Sequence, residues 1–184
     1  MEPRWLGEAK AVDAAAYAAI AAAETPSLDV AMRRLSRAAD HGKLWFAAAA
    51  ALGLIGGHSG RLAARKGLVS LGIASAFANL VAKPLTTRRR PARQEAEELA
   101  RRHVQMPRSS SFPSGHAASA FAFASGASAA QPVLSAPLRA LATLVGYSRI
   151  HTGVHYPADV LAGAFIGVSA AELASLLLGR GGRR

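Results

Sequence analysis

Three separate clusters of polar residues carry side chains that could bind and transfer a phosphoryl group. Lysine and arginine can hold phosphate oxygens, histidine can move protons or attack phosphorus, and a carboxylate can orient an imidazole ring. The residues with these properties are Lys83, Arg90, Ser114, Gly115, His116, Arg149, His155 and Asp159. They come from distant parts of the chain, so they form one site only if the fold brings three segments together.

The cations and the glycine suit the binding of a phosphate. Lys83, Arg90 and Arg149 would form a cationic cage, in which each arginine can hold two oxygens at once. Ser114 and Gly115 precede an apolar, helix-like run. The free N–H groups at the start of a helix attract anions, and glycine lets the backbone approach a ligand closely.

The last cluster contains a histidine and an aspartate four residues apart, His155 and Asp159. If a helix begins near His155, the two share a face. The carboxylate can then hold one imidazole N–H and leave the other nitrogen as a nucleophile. His151 and His155 are also four apart and could instead ligate a metal, with Asp159 as a third ligand, although the surrounding cations would repel a dication.

Composition narrows the class of protein that carries these clusters. The 184 residues are 51% hydrophobic, have a formal charge of +11 and include no cysteine, which excludes disulfides, thiolate metal sites and a cysteine nucleophile. The positive charge fits either a nucleic-acid binder or a membrane protein. The cations lie mainly in the segments between apolar blocks, with little aromatic interleaving for base stacking. We therefore expect membrane lipids as partners and no nucleic acid.

Long stretches of the chain carry almost no charge. They are residues 44–57, 67–82, 115–136, 133–148 and 160–178, of which the last two hold only Arg139 and Glu172. Each is short against the roughly 20 residues that span a bilayer. Together they are more than a soluble domain of this size could cover. The sequence predicts an all-α, integral-membrane helical bundle of about five spans, in the cell (inner) membrane.

The N-terminal part of the chain has a different character. Residues 1–24 predict an alanine-rich helix, and we favour an interfacial helix over a cleaved signal peptide because acidic residues precede the alanine run. Thr25 and Pro26 predict the start of a second, basic amphipathic helix that runs to about Asp40. The expected division is therefore amphipathic interfacial helices over residues 1–42 and a membrane-embedded domain over 43–184.

The predicted topology places the clusters on one side of the membrane. With five spans, the loops at 83–115 and 148–159 emerge at the same face because two spans separate them. Lysine and arginine are also more numerous on that side than on the other, even without the candidate site residues. By the positive-inside rule this distribution indicates a cytoplasmic site.

Taken together, the clusters resemble the signature of the type 2 phosphatidic acid phosphatase superfamily of integral-membrane lipid phosphatases. That signature is K-x6-RP, then PSGH, then SR-x5-H-x3-D. The chain matches it in order, with Lys83 to Pro91, then Pro113 to His116, then Ser148 to Asp159. Many members of this superfamily have six spans, and the N-terminal amphipathic segment could stand in for a sixth here.

The resemblance implies metal-independent hydrolysis of a phosphomonoester or diphosphate, without a cofactor. It implies that His155 attacks phosphorus, that Asp159 orients His155, and that His116 protonates the leaving oxygen. Lys83, Arg90, Ser114, Gly115 and Arg149 would bind the phosphoryl oxygens.

Expected substrates are polyprenyl phosphosugars (decaprenyl-phosphoryl-phosphoribose among them, in cell-wall synthesis), polyprenyl diphosphates and phosphatidate-type lipids. The alternative is a non-catalytic membrane protein that binds phospholipid headgroups. No role is assigned to His151, whereas Arg88 and Arg89 could either share phosphate binding or face headgroups.

Overall fold

All the regular secondary structure is helical in the part of the chain that the structure describes, residues 3–93 and 101–179 of a computed structural model. Its α-helices are α1 (Arg4–Ala22), α2 (Pro26–Ala38), α3 (Lys43–Ile55), α4 (Gly57–Ala76), α5 (Gly115–Ala130), α6 (Ser135–His151) and α7 (Pro157–Leu177). Short 3-10 helices cover Asp40–Gly42 and Pro132–Leu134, and a π-helical turn, Phe77–Ala82, extends α4. The described residues contain no strand, as an all-α fold requires.

The two N-terminal helices form where the sequence predicts them. Pro26 occupies the first position of α2 and Thr25 precedes it, because proline lacks an N–H that this position does not use. Both helices bury charged side chains. Their buried residues include two aspartates, Asp13 and Asp29, which face the rest of the protein. The N-terminal segment is therefore attached to the bundle through polar contacts.

Helix α5 lies at the centre of the bundle and packs against α4, α6 and α7. Small residues allow this close packing. A Cβ at Gly126 would lie 2.7 Å from the carbonyl oxygen of Lys66, and one at Gly67 would lie 2.8 Å from the Phe123 ring. Trp45 of α3 packs on Phe123 at 5.4 Å between ring centroids. Alanine and glycine thus replace the large apolar residues of an ordinary core.

The described helices α3–α7 coincide with the five apolar blocks, but their lengths differ. Only α7 among the described residues is long and apolar enough to cross a membrane. Helix α3 has 13 residues, which gives a length of about 20 Å against roughly 30 Å of hydrocarbon. Large apolar side chains nevertheless face outward on several helices, including Leu54, Ile55, Leu80, Leu161, Phe165 and Leu176. The count of five spans stays a prediction.

The close packing at Gly126 can be tested by comparison with a glycine that has free space around its Cα. Gly126→Ala is expected to lower the free energy of unfolding by about 1–3 kcal/mol, since the added methyl group meets the backbone of α4. Gly72→Ala in α4 is the matched control, because nothing lies within 4 Å of a Cβ there. It should leave stability unchanged or raise it by up to about 1 kcal/mol. Thermal unfolding in detergent would compare them, and equal midpoints would contradict the packing described.

Candidate active site

The first cluster begins at the π-helical end of α4. The N–H of Lys83 donates to the carbonyl of Ala78 at 3.0 Å, and such wider turns are frequent at functional sites. Lys83 Nζ donates to Asn79 Oδ1 at 2.8 Å, and Asn79 Nδ2 donates to the carbonyl of Ser75 at 2.9 Å. Burial, together with the charges of Arg90 and Arg149, lowers the pKa of Lys83.

Arg90 connects the first cluster to the other two. Its Nη1 donates to the carbonyl of Val154 at 2.7 Å, its Nη2 to the carbonyl of Ser110 at 3.2 Å, and its Nε to the carbonyl of Ser109 at 3.1 Å. Each acceptor is a loop carbonyl next to a motif. The guanidinium therefore fixes both loops while its charge stays beside the candidate nucleophile.

His155 lies within this cationic environment. Its Nε2 is 3.4 Å from Arg90 Nη1, and its Nδ1 is 3.5 Å from Asp159 Oδ2. The second separation is longer than a normal hydrogen bond, and such contacts are often long before a substrate binds. Burial lowers the pKa of His155 to about 4, assisted by the charges of Arg90 and Arg149. The ring is therefore neutral at physiological pH and has a free lone pair.

The expectation that His155 and Asp159 share a helix face is wrong, although the two side chains meet. Helix α7 begins at Pro157, and Tyr156 precedes it in an extended conformation. The residue before a proline avoids the helical region, so His155 stays in the loop. Asp159 is the third residue of α7, and its Oδ2 accepts the N–H of Tyr156 at 2.9 Å. A helix cap, and not a shared face of one helix, brings the carboxylate to the imidazole.

Two further side chains hold Asp159. Ser111 Oγ donates to its Oδ2, and Arg88 Nη1 donates to its Oδ1 at 2.8 Å. Arg88 also pairs with Asp13 of α1. Arg88 thus fits neither of its two expected roles, because its guanidinium lies on carboxylates and not on the phosphate site.

Arg149 and His116 lie on the other side of the site, beside the N-terminal segment. Arg149 is almost fully buried, and its Nη1 donates to Ser36 Oγ of α2. His116 Nε2 is 2.9 Å from Asp40 Oδ1. Asp40 Oδ1 is also 3.7 Å from Arg149 Nη1. Ser36 and Asp40 belong to residues 1–42, for which the sequence analysis predicts no role in the site.

In the second cluster, Ser114 caps helix α5 and Gly115 lines the cavity. Ser114 is the N-cap of α5, where its Oγ accepts the N–H of Ala117 at 3.4 Å and its own N–H donates to the carbonyl of Asp159 at 2.9 Å. Ser114 is completely buried and lies outside the cavity lining. The expected phosphate contact of its side chain stays a prediction, and the hydroxyl caps α5 in this structure. Gly115 does line the cavity, and a Cβ there would lie 3.4 Å from Lys83 Nζ.

A cavity of about 410 Å³ joins the clusters. Among its lining residues are Lys83, Arg90, Gly115, His116, Arg149 and His155, together with Ser75, Asn79, Leu71 and Phe46. Its wall combines three cations, three imidazoles (those of His41, His116 and His155) and the start of helix α5 with apolar side chains. This arrangement can hold a phosphate against a neutral imidazole while an apolar group extends away.

The metal alternative does not fit the described residues. The side chain of His151 points to α2, where its Nε2 is 2.7 Å from Asp29 Oδ1. It therefore does not form a ligand group with His155 and Asp159. No group of three or more histidine, cysteine or acidic side chains in residues 3–93 and 101–179 could hold a metal ion.

Several site residues carry weak signals in the sequence. Ser75, Asn79 and Lys83 recur every four residues in an otherwise apolar block, a pattern that indicates one polar helix face. Ser111 is one of three consecutive serines, and Ser36 of α2 is followed four residues later by Asp40, at the start of the next 3-10 helix. None of these spacings states which partner each residue meets.

Comparison with known proteins agrees with this geometry. The sequence pattern of the PAP2 superfamily matches residues 63–182. The structure is similar to the crystal structure of LpxE from Aquifex aeolicus, with 25% identity, a TM-score of 0.69 and coverage of 86% of this chain and 91% of that one. It also shares its fold with a transmembrane PAP2-type phosphatidylglycerolphosphate phosphatase from Bacillus subtilis, with 22% identity, a TM-score of 0.71 and coverage of 96% and 89%.

The family match includes all three motifs and the helices α5–α7 that carry or flank them. It confirms the resemblance seen in the motifs. Fold, site geometry and sequence pattern agree, and the chain belongs to the PAP2 superfamily.

Proposed function

We propose that this chain hydrolyses a lipid-linked phosphate through a phosphohistidine intermediate at His155. Membership of the PAP2 superfamily supports phosphatase activity on lipid phosphates. The observation that carries the proposal is the position of His155 Nε2, 3.4 Å from Arg90 Nη1 and in the wall of the cavity. A neutral imidazole beside cations is poised to attack a phosphate that those cations bind.

In the first step, His155 Nε2 attacks phosphorus. The N–P bond forms, the P–O bond to the leaving group breaks, and the leaving oxygen takes a proton from His116. Asp159 lies near Nδ1, where its carboxylate stabilises the positive charge that develops on the His155 ring.

In the second step, water attacks the phosphorus of the phosphohistidine. His116, now neutral, accepts a proton from that water, the N–P bond breaks, and inorganic phosphate leaves. His155 returns to its neutral form and His116 to its protonated form. The cycle consumes one water and needs neither a metal nor a cofactor.

The cations lower the barrier of both steps. Lys83, Arg90 and Arg149 line one cavity, where their charges oppose the negative charge on the equatorial oxygens of the transition state. Fixed charges in a partly buried site need no reorganisation during the reaction, which makes this contribution large. The N–H groups at the start of α5, beside Gly115, add to it.

The mixed polar and apolar lining of the cavity supports the proposed substrate class. Cations bind the phosphate, and apolar side chains such as Phe46 and Leu71 accommodate the start of a lipid. The candidates are polyprenyl phosphosugars, including decaprenyl-phosphoryl-phosphoribose, polyprenyl diphosphates, and phosphatidate or phosphatidylglycerophosphate. The name of the Bacillus subtilis protein supports including the last. We place the enzyme in the cell membrane as a multi-pass protein.

A phosphate-release assay on detergent-solubilised protein tests the function and the substrate together. A panel of these lipid phosphates should contain at least one that is turned over, release should continue in a chelator, and vanadate should inhibit it. Binding of lipid phosphates without any turnover would instead support the headgroup-binding alternative.

The protonation state of His155 gives a separate test. Since burial lowers its pKa to about 4, its ring should stay neutral from neutral pH down to about pH 5, where free histidine with a pKa of roughly 6.5 is protonated. Nitrogen NMR of ring-labelled histidine would follow this, with the resonance assigned by its loss in His155→Gln. A midpoint near that of free histidine would contradict the buried, cation-flanked environment.

A further inference from the structure

The turn between α2 and α3 places a carboxylate against the candidate general acid. Asp40 Oδ1 lies 2.9 Å from His116 Nε2 and 3.7 Å from Arg149 Nη1. The hydrogen bond with His116 holds the pKa of the Asp40 carboxyl below its usual range, so Asp40 is ionised at neutral pH. A fixed carboxylate thus meets both the acid and one of the cations that line the cavity.

The backbone of this turn adopts an unusual conformation. His41 has φ +56° and Gly42 has φ +75°, and a left-handed conformation is unfavourable for a non-glycine residue such as His41. Such conformations persist where surrounding contacts impose them. Here the turn brings Asp40 to His116 and Arg149, two residues of the cavity wall, and Ser36 one helical turn earlier holds Arg149.

The other partnered aspartates of the N-terminal segment have anchoring contacts. Asp13 pairs with Arg88 and accepts the N–H of Ala158 at 2.8 Å, whereas Asp29 pairs with His151 and Arg102. Neither Asp13 nor Asp29 lines the catalytic cavity. Asp40 differs because its two partners, His116 and Arg149, are both cavity-lining residues.

Electrostatics explain why His116 needs such a partner. A general acid must carry its proton when the substrate arrives, yet burial of His116 opposes a positive charge on its ring, and the charges of Arg149 and Lys83 add to that effect. The carboxylate of Asp40 acts in the opposite direction. It also fixes the ring orientation, as carboxylates do for histidines in many sites.

We propose that Asp40 is a positioning residue for leaving-group protonation, and that the N-terminal segment completes the catalytic site through it. Asp40 holds the protonated ring of His116 towards the leaving oxygen and touches no substrate atom itself. This inference rests on the proposed function, because it assumes that His116 supplies the proton.

The test compares two leaving groups in the full-length protein. An alkyl phosphate such as octyl phosphate needs its leaving oxygen protonated, whereas para-nitrophenyl phosphate releases a stable anion that does not. Asp40→Asn, which keeps the shape of the side chain, should lower kcat/KM for octyl phosphate by about 10- to 100-fold. For para-nitrophenyl phosphate the change should stay within about threefold, since general-acid catalysis adds little there.

Asp29→Asn is the matched control, because it breaks another aspartate–histidine pair of the same segment outside the cavity. It should change both substrates by the same factor, with thermal unfolding reporting any loss of fold. An equal loss on both substrates in Asp40→Asn, or no loss on octyl phosphate, would overturn the inference and leave the phosphatase proposal standing. Wild-type protein that hydrolyses para-nitrophenyl phosphate alone would also overturn it. Wild-type protein that hydrolyses neither phosphate nor any lipid phosphate would contradict the proposed function itself.

Discussion

Replacing His155 with alanine is expected to abolish phosphate release, with a loss in kcat of at least ~10⁴-fold, because the attacking nitrogen is removed. His155 is the imidazole whose Nε2 lies beside Arg90, and no other described histidine takes that position. The variant should still bind vanadate, since Lys83, Arg90 and Arg149 remain. Phosphate release and vanadate binding, measured on the same purified sample, would separate these two effects.

His58→Ala provides the control for His155→Ala. His58 is an exposed histidine in the first turn of α4, so its loss should leave turnover unchanged. Turnover by His155→Ala near the wild-type rate would refute the nucleophile assignment. It would favour direct attack of water on phosphorus.

Replacing Arg149 with alanine is expected to lower kcat/KM by about 10²–10³-fold, the usual loss when one donor to a transition-state oxyanion is removed. Arg149 is buried and lines the cavity beside His116 and His155. Unlike His155→Ala, this variant should also bind vanadate more weakly, because a charge of the cage is lost. Arg149→Lys should recover only part of the activity, since lysine lacks the planar fork that holds two oxygens.

Arg139→Ala is the matched control on the same helix. Arg139 lies near the start of α6 and is exposed, so its removal should change neither turnover nor vanadate binding. Removal of Arg149 also leaves Ser36 and Asp40 without a partner, and thermal unfolding must show that the variant is folded. A folded Arg149→Ala protein with wild-type kcat/KM would contradict the role of Arg149 in the cationic cage.

Short-range signals in the sequence predict much of the site. The apolar blocks mark the positions of α3–α7, and Pro157 marks the start of α7. The resemblance to the superfamily signature implies that Lys83, Arg90, Arg149 and His155 meet at one site. Helix periodicity and proline geometry act over a few residues, so a sequence shows them directly.

Other features depend on competition between local interactions. Ser114 has the residue type of a phosphate ligand, but the same hydroxyl satisfies an N–H of α5, and helix capping stabilises the fold by about 1 kcal/mol. In the same way, the cap at Tyr156 excludes His155 from α7 and brings Asp159 to it through the loop. Spacing alone does not reveal which of two favourable local arrangements wins.

Long-range pairs are the least predictable part. Asp40 and His116 are 76 residues apart, and Asp13 and Arg88 are 75 apart. A charged residue in an amphipathic helix is usually solvated, so nothing in residues 1–42 indicates that Asp13, Asp29 and Asp40 face inward. Their partners become visible only when the N-terminal helices are seen packed on the catalytic loops.

Trapping the covalent intermediate tests the central claim most directly. Protein mixed briefly with a radiolabelled substrate and then denatured in alkali should carry labelled phosphate that is stable in alkali and released by acid, as a phosphohistidine requires. Mass spectrometry should place that phosphate on the peptide containing His155, and His155→Ala should carry none. Label that survives acid, label on another residue, or turnover without any trapped label would contradict phosphoryl transfer to His155.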